Sequence, residues 1–179
     1  MTFTEMALRM FPYWILGLFM IFATYNSKYR ELLRVEYKPL LKWCGFLVLV
    51  TIYRIAIFKI FSGNDYLKDL TAGAMTIPWQ ATLTVFWEDA CHGLPLAILA
   101  LFLGQDKLWK KVITYIAIAV TMVSFGLGHV YQGYLAAAAL SFYIPYSYKK
   151  GQEIGFGTIM ICHSLYDLVT VLTLQTFLG

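Results

Sequence analysis

The chain has 179 residues, enough for one domain, with a formal net charge of +4 and a pI near 8.9. Hydrophobic residues make up 60% of it and charged residues only 13%, where a soluble domain carries roughly 25% charge. That balance, with a mean hydropathy of +0.65, excludes an ordinary soluble domain and makes lipid the expected solvent. The basic residues flank apolar runs instead of gathering into a patch, which argues against nucleic acid as a partner.

In chain order, the apolar runs predict an all-α, polytopic transmembrane bundle of about six spans. The first span is expected over about 8–25. It has charges after it and no cleavage pattern of small residues, so it reads as a span and not as a leader. The second covers about 40–61, with Arg54 and Lys59 near its end. The third, about 76–103, opens near Pro78 and holds Glu88 and Asp89; Pro95 inside it should kink or split the helix. The fourth runs about 112–131 and is rich in glycine toward its end. The fifth, about 134–148, is short, and the sixth covers about 154–177. All 179 residues are expected to form one integral membrane domain.

Orientation follows from where lysine and arginine fall. Lys28, Arg30, Arg34, Lys38 and Lys42 occupy the first loop, Lys107, Lys110 and Lys111 the third, and Lys149 and Lys150 the fifth. These alternate loops share one side, which the positive-inside bias makes cytoplasmic, leaving both termini outside. Aromatic residues such as Trp14, Trp43, Trp79, Trp109 and Tyr146 sit near span ends, as interfacial anchors do. Cys44, Cys91 and Cys162 lie in apolar runs without CxxC spacing and read as small buried hydrophobes.

A few ionisable residues stand inside the predicted spans: Glu88, Asp89 and Asp167, with all three histidines, His92, His129 and His163. A charged group at the bilayer centre costs roughly 2.5–3.5 kcal/mol on insertion scales, so each needs a partner or a wet cavity. The simplest solution is a polar pocket between segments three, four and six. Glu88 and His92 are four residues apart, as are His163 and Asp167, so each pair shares a helix face. A carboxylate beside an imidazole can orient a water and accept its proton. A second histidine with a hydrogen-bonding neighbour can stabilise the oxyanion formed when water attacks an amide. Tyr131, Gln132, Ser164 and Tyr166 flank the set as possible further donors.

These residues also form an ordered pattern. Phe125-Gly-Leu-Gly-His129 resembles the Phe-xxx-His motif of the CPBP family of intramembrane endopeptidases, and His163-Ser-Leu-Tyr-Asp167 resembles its His-xxx-Asn/Asp motif. That family (CAAX proteases and bacteriocin-processing or ABI-type proteins) includes the type II CAAX prenyl endopeptidases. Its Glu-Glu-xxx-Arg motif is replaced here by Trp87-Glu88-Asp89-Ala-Cys-His92-Gly93. If Gly93 matches the glycine after the motif, His92 stands for the arginine and Trp87 for the first glutamate. If Glu88-Asp89 matches the acidic pair, Gly93 falls at the arginine. The resemblance covers about 76–177 as a catalytic core.

The resemblance implies that Glu88 and His129 activate a water, that His163 and Asp167 stabilise the oxyanion, and that His92 or Asp89 orients Glu88. It implies a peptide or membrane-protein substrate, possibly prenylated, in a plasma membrane of bacterial type, and a mechanism with no metal. Zinc is the alternative cofactor, with His92, His129 and His163 as ligands, although the HExxH spacing of a zincin is missing. Two other function classes fit the same residues. One is a catalytically silent relative acting as a membrane scaffold or immunity-type protein; the other is a proton or metal-ion transporter.

Overall fold

Long apolar runs without strand-like alternation have one way to satisfy their backbone internally, which is to coil. The computed structural model describes residues 3–60, 86–130 and 134–178, and every regular element among them is helical. Helix α1 spans Phe3–Tyr25 and α2 spans Tyr37–Ile60, with a 3-10 turn at Arg30–Leu33 between them. Helix α3 comes in two pieces, residues 86–91 and Gly93–Leu103; α4 is Leu108–Gly128. Helices α5 (Tyr134–Ser141), α6 (Tyr143–Ile154) and α7 (Phe156–Leu178) complete the chain. Residues 76–85 at the start of the third predicted segment, with Pro78 and Trp79, lie outside the described residues. So do Tyr131, Gln132, Gly133 and the side chains of Arg54 and Lys59.

Two stretches, Phe86–Leu103 and Leu108–Gly128, are long and apolar enough to cross a membrane, and Phe11–Tyr25 is a shorter apolar helix. Apolar side chains also face outward in rows. Phe11, Ile15, Phe19 and Phe22 do so on α1, Leu41, Val48 and Leu49 on α2, and Val112, Ile116, Val120 and Val123 on α4. The inward faces form two packed clusters that share α3. One joins Ala90, Leu94 and Ala97 to Phe156 and Met160 of α7; the other joins Leu96 to Ile118 and Phe125 of α4 and Ile144 of α6. The residues that α3 gives to both clusters, Ala90, Leu94, Leu96 and Ala97, are buried, while Leu101 and Phe102 at its far end face outward.

Two breaks shape these helices, the first expected from Pro95 and the second not. The third segment turns at His92, and the fifth is not one helix but two, divided at Phe142. Each break comes three residues before a proline, Pro95 or Pro145. A proline has no N–H to give the carbonyl four residues back, and its ring crowds that carbonyl, so the chain restarts and the proline sits in the new first turn. Both restarts aim side chains at the same place.

The first loop is anchored where α6 meets α7. Arg34 donates from Nη2 to the carbonyl oxygen of Gln152, at 3.2 Å, and to that of Glu153, covering carbonyls that the end of α6 leaves open. Its Nε donates to Glu36 at 2.9 Å, and the Glu36 backbone N–H donates to Thr158 Oγ1 at 2.8 Å. Gly155 turns the chain there with a φ of +86°, and a Cβ on it would collide with the Arg34 backbone. One turn further along α7, Trp43 Nε1 donates to the carbonyl oxygen of Cys162 at 2.8 Å, tying α2 to α7.

Candidate functional site

The centre of the polar cluster is Asp89, whose side chain is 1% exposed. Its carboxylate accepts from three residues on two other helices. Ser147 Oγ donates to Oδ1 at 2.6 Å, and Tyr143 OH lies 2.9 and 3.0 Å from the two oxygens. His163 Nδ1 stands 3.0 Å from Oδ2. A carboxylate has room for three such donors, and burial makes each of them necessary.

Glycine makes the approach possible. A Cβ on Gly93 would sit 2.6 Å from Ser147 Oγ and 2.8 Å from a ring carbon of Phe156. The absence of a side chain at 93 therefore lets α6 come close enough for Ser147 to reach Asp89. Phe156 cannot retreat, because its ring is also pressed against Gly151. The position opposite Asp89 across this contact is filled from α6, not from α3 itself.

The remaining ionisable groups surround this centre. Glu88, half-buried, lies within electrostatic range of His163, Asp167 and Asp89. His163 is in range of Asp89, Asp167 and Glu88, and His92 is in range of Asp89 and His129. All six residues singled out from the sequence thus belong to one cluster drawn from α3, α4 and α7. His92 and Glu88 meet through the backbone: His92 Nδ1 is 2.8 Å from the Glu88 carbonyl oxygen. His129 repeats the arrangement with the Phe125 carbonyl oxygen, also at 2.8 Å. A carbonyl oxygen only accepts, so Nδ1 carries the proton in both rings and Nε2 is the nitrogen that can hold a lone pair. Both histidines stand where a helix ends or breaks, and the Glu88 carbonyl oxygen also accepts the His92 backbone N–H at 2.9 Å.

Aromatic rings link the two halves of the site. Phe125 packs edge-on to His92 at 5.4 Å between centroids and lies 4.3 Å from the His129 ring. The Tyr143 ring lies 6.3 Å from Phe125 and 4.2 Å from His163. Among the described residues no group of three or more His, Cys, Asp or Glu side chains is arranged to hold a metal ion.

Tyr143 and Ser147 were missed as site residues in the sequence. They are four residues apart, like Glu88/His92 and His163/Asp167, and that spacing was the available signal. Hydroxyls are common in apolar helices, though, and Tyr143 fell inside a segment expected to run unbroken through Phe142.

No protein-family model, curated protein or solved structure matches the chain.

Proposed function

We propose that the chain is a multi-pass membrane endopeptidase of the CPBP type, hydrolysing a peptide bond with a water activated by Glu88 and His129. The observation that carries the reading is the convergence of Glu88, His92, His163 and Asp167 around buried Asp89, with His129 beside His92, on helices otherwise clothed in outward apolar side chains. In water such a surface would drive aggregation; in lipid it is ordinary. The six-span arrangement with both termini outside is part of the proposal. It is supported by the contact of Arg34, in the first basic loop, with Gln152 and Glu153 just beyond Lys149 and Lys150.

The chemistry follows from the groups present. Glu88 takes a proton as water adds to the amide carbonyl carbon, and the His129 ring holds that water through Nε2. His163 faces the developing oxyanion, and Asp167, one turn along the same helix face, favours the imidazolium that stabilises it. Collapse of the tetrahedral adduct breaks the C–N bond, and the proton held by Glu88 passes to the leaving amine. The products are a carboxylate and an amine. The acidic motif fits best with Glu88-Asp89 as its pair. The arginine position is then Gly93, and hydroxyls from α6 supply the donors that hold Asp89.

The test is cleavage of fluorogenic peptides, prenylated and plain, by the purified protein in proteoliposomes. Wild type should cleave at least one class, and Glu88→Gln and His129→Ala should each abolish cleavage. Undiminished activity in both variants would refute the reading. A strong chelator should leave the rate unchanged; loss of activity restored by zinc would establish the metal-dependent alternative.

A further inference from the structure

Asp89 is the most deeply buried ionisable side chain of the cluster, and the proposed water-activating step does not use it. Three donors hold it, and two of them, Tyr143 and Ser147, lie one turn apart on α6, on the face turned toward α3. The third donor is His163. An ionised carboxylate accepts and does not donate, so the contact at 3.0 Å requires a proton on His163 Nδ1. With Nδ1 committed to Asp89, the lone-pair or second-proton position of the ring is Nε2, on its far side. A free histidine in water favours the opposite tautomer or interconverts, so something must keep Asp89 aimed at Nδ1.

We infer that Tyr143 and Ser147 are positioning residues that lock the Asp89 carboxylate and, through it, fix the tautomer and orientation of His163. Ser147 pins Oδ1 at 2.6 Å from a site opened by Gly93, so the carboxylate cannot turn about its last torsion without losing that bond. Tyr143 bridges both oxygens and lays its ring against the imidazole, 4.2 Å away, so one residue restrains both partners. Breaking α6 from α5 at Phe142 is what gives Tyr143 this place in a first helical turn. The catalytic consequence rests on the peptidase reading; the tautomer lock does not.

The chain contains only three histidines, which makes the lock directly observable. Protein labelled with 15N-histidine, in micelles, should give a His163 signal with a protonated Nδ1 at neutral pH. Tyr143→Phe keeps the ring and removes the hydroxyl. Ser147→Ala removes the second hydroxyl without crowding Gly93. In each single variant, and more fully in the double, the His163 signal should move to a mixture or to the Nε2–H form. The His92 and His129 signals should stay, because their Nδ1 partners are backbone carbonyls. If peptide is cleaved, kcat should fall by at least about tenfold in the double variant with KM within about twofold, as expected for a misoriented imidazole. A His163 signal unchanged in the folded double variant overturns the inference. The spectrum is read without substrate, so a chain that cleaves nothing would defeat the peptidase reading and leave the lock standing on its own result.

Discussion

Gly93→Ala should be costly in a way that ordinary helical glycines are not. The new methyl would lie 2.6 Å from Ser147 Oγ and 2.8 Å from a Phe156 ring carbon. Neither neighbour can yield cheaply. Ser147 is bonded to Asp89 at 2.6 Å, and Phe156, fully buried, is backed by Gly151. Overpacking of this kind costs about 1–3 kcal/mol, and shifting Ser147 weakens a bond to a charged acceptor worth about 1.5–3 kcal/mol. The gain in helix propensity is at most about 1 kcal/mol, and less in a first turn. The expected net loss is therefore about 2 kcal/mol. Gly45, inside α2, is the matched control: no atom lies within 4 Å of the place its Cβ would take. Gly45→Ala should stabilise by about 0.5–1 kcal/mol. Reversible unfolding in mixed micelles, followed by tryptophan fluorescence, measures both. Equal stability of the two variants would refute the argument that close approach at residue 93 assembles the site.

Trp43→Phe keeps an aromatic ring beside α7 but removes the N–H donated to Cys162; it should cost about 0.5–1.5 kcal/mol in the same unfolding assay. The loop side of α6 predicts a pH effect of definite sign. The hydrogen bond from Lys150 holds Glu153 below its usual value of 4.5, and the same partner raises Lys150 above 10.5. The carboxylate half of this contribution is present above the unfolded value and lost as pH falls through the lowered one. The lysine half is present below its unfolded value and lost as pH rises through the raised one. A 13C titration of Glu153 should show a midpoint below 4.5 that returns toward it in Lys150→Ala; an identical midpoint in both proteins would contradict the pair.

What the sequence determined by itself was chemistry and period. The scarcity of charge, the length of the apolar runs and the lack of strand alternation specified helices suited to lipid. The four-residue spacings specified which of Glu88, His92, His163 and Asp167 share a face. Those are properties of single helices, and a single helix carries them wherever it is placed. Which faces meet is a property of pairs of helices, and only the tertiary structure decided it. It put Asp89, not Glu88, in contact with His163, and it brought in Tyr143 and Ser147 from a segment that had carried no site residue. The physical reasons are local but not periodic. Two prolines restart helices at His92 and Phe142, and a missing side chain at Gly93 lets α6 approach α3. A hydroxyl in an apolar run looks the same in sequence whether it faces lipid, its own helix or a carboxylate; burial beside Asp89 is what gives these two a task.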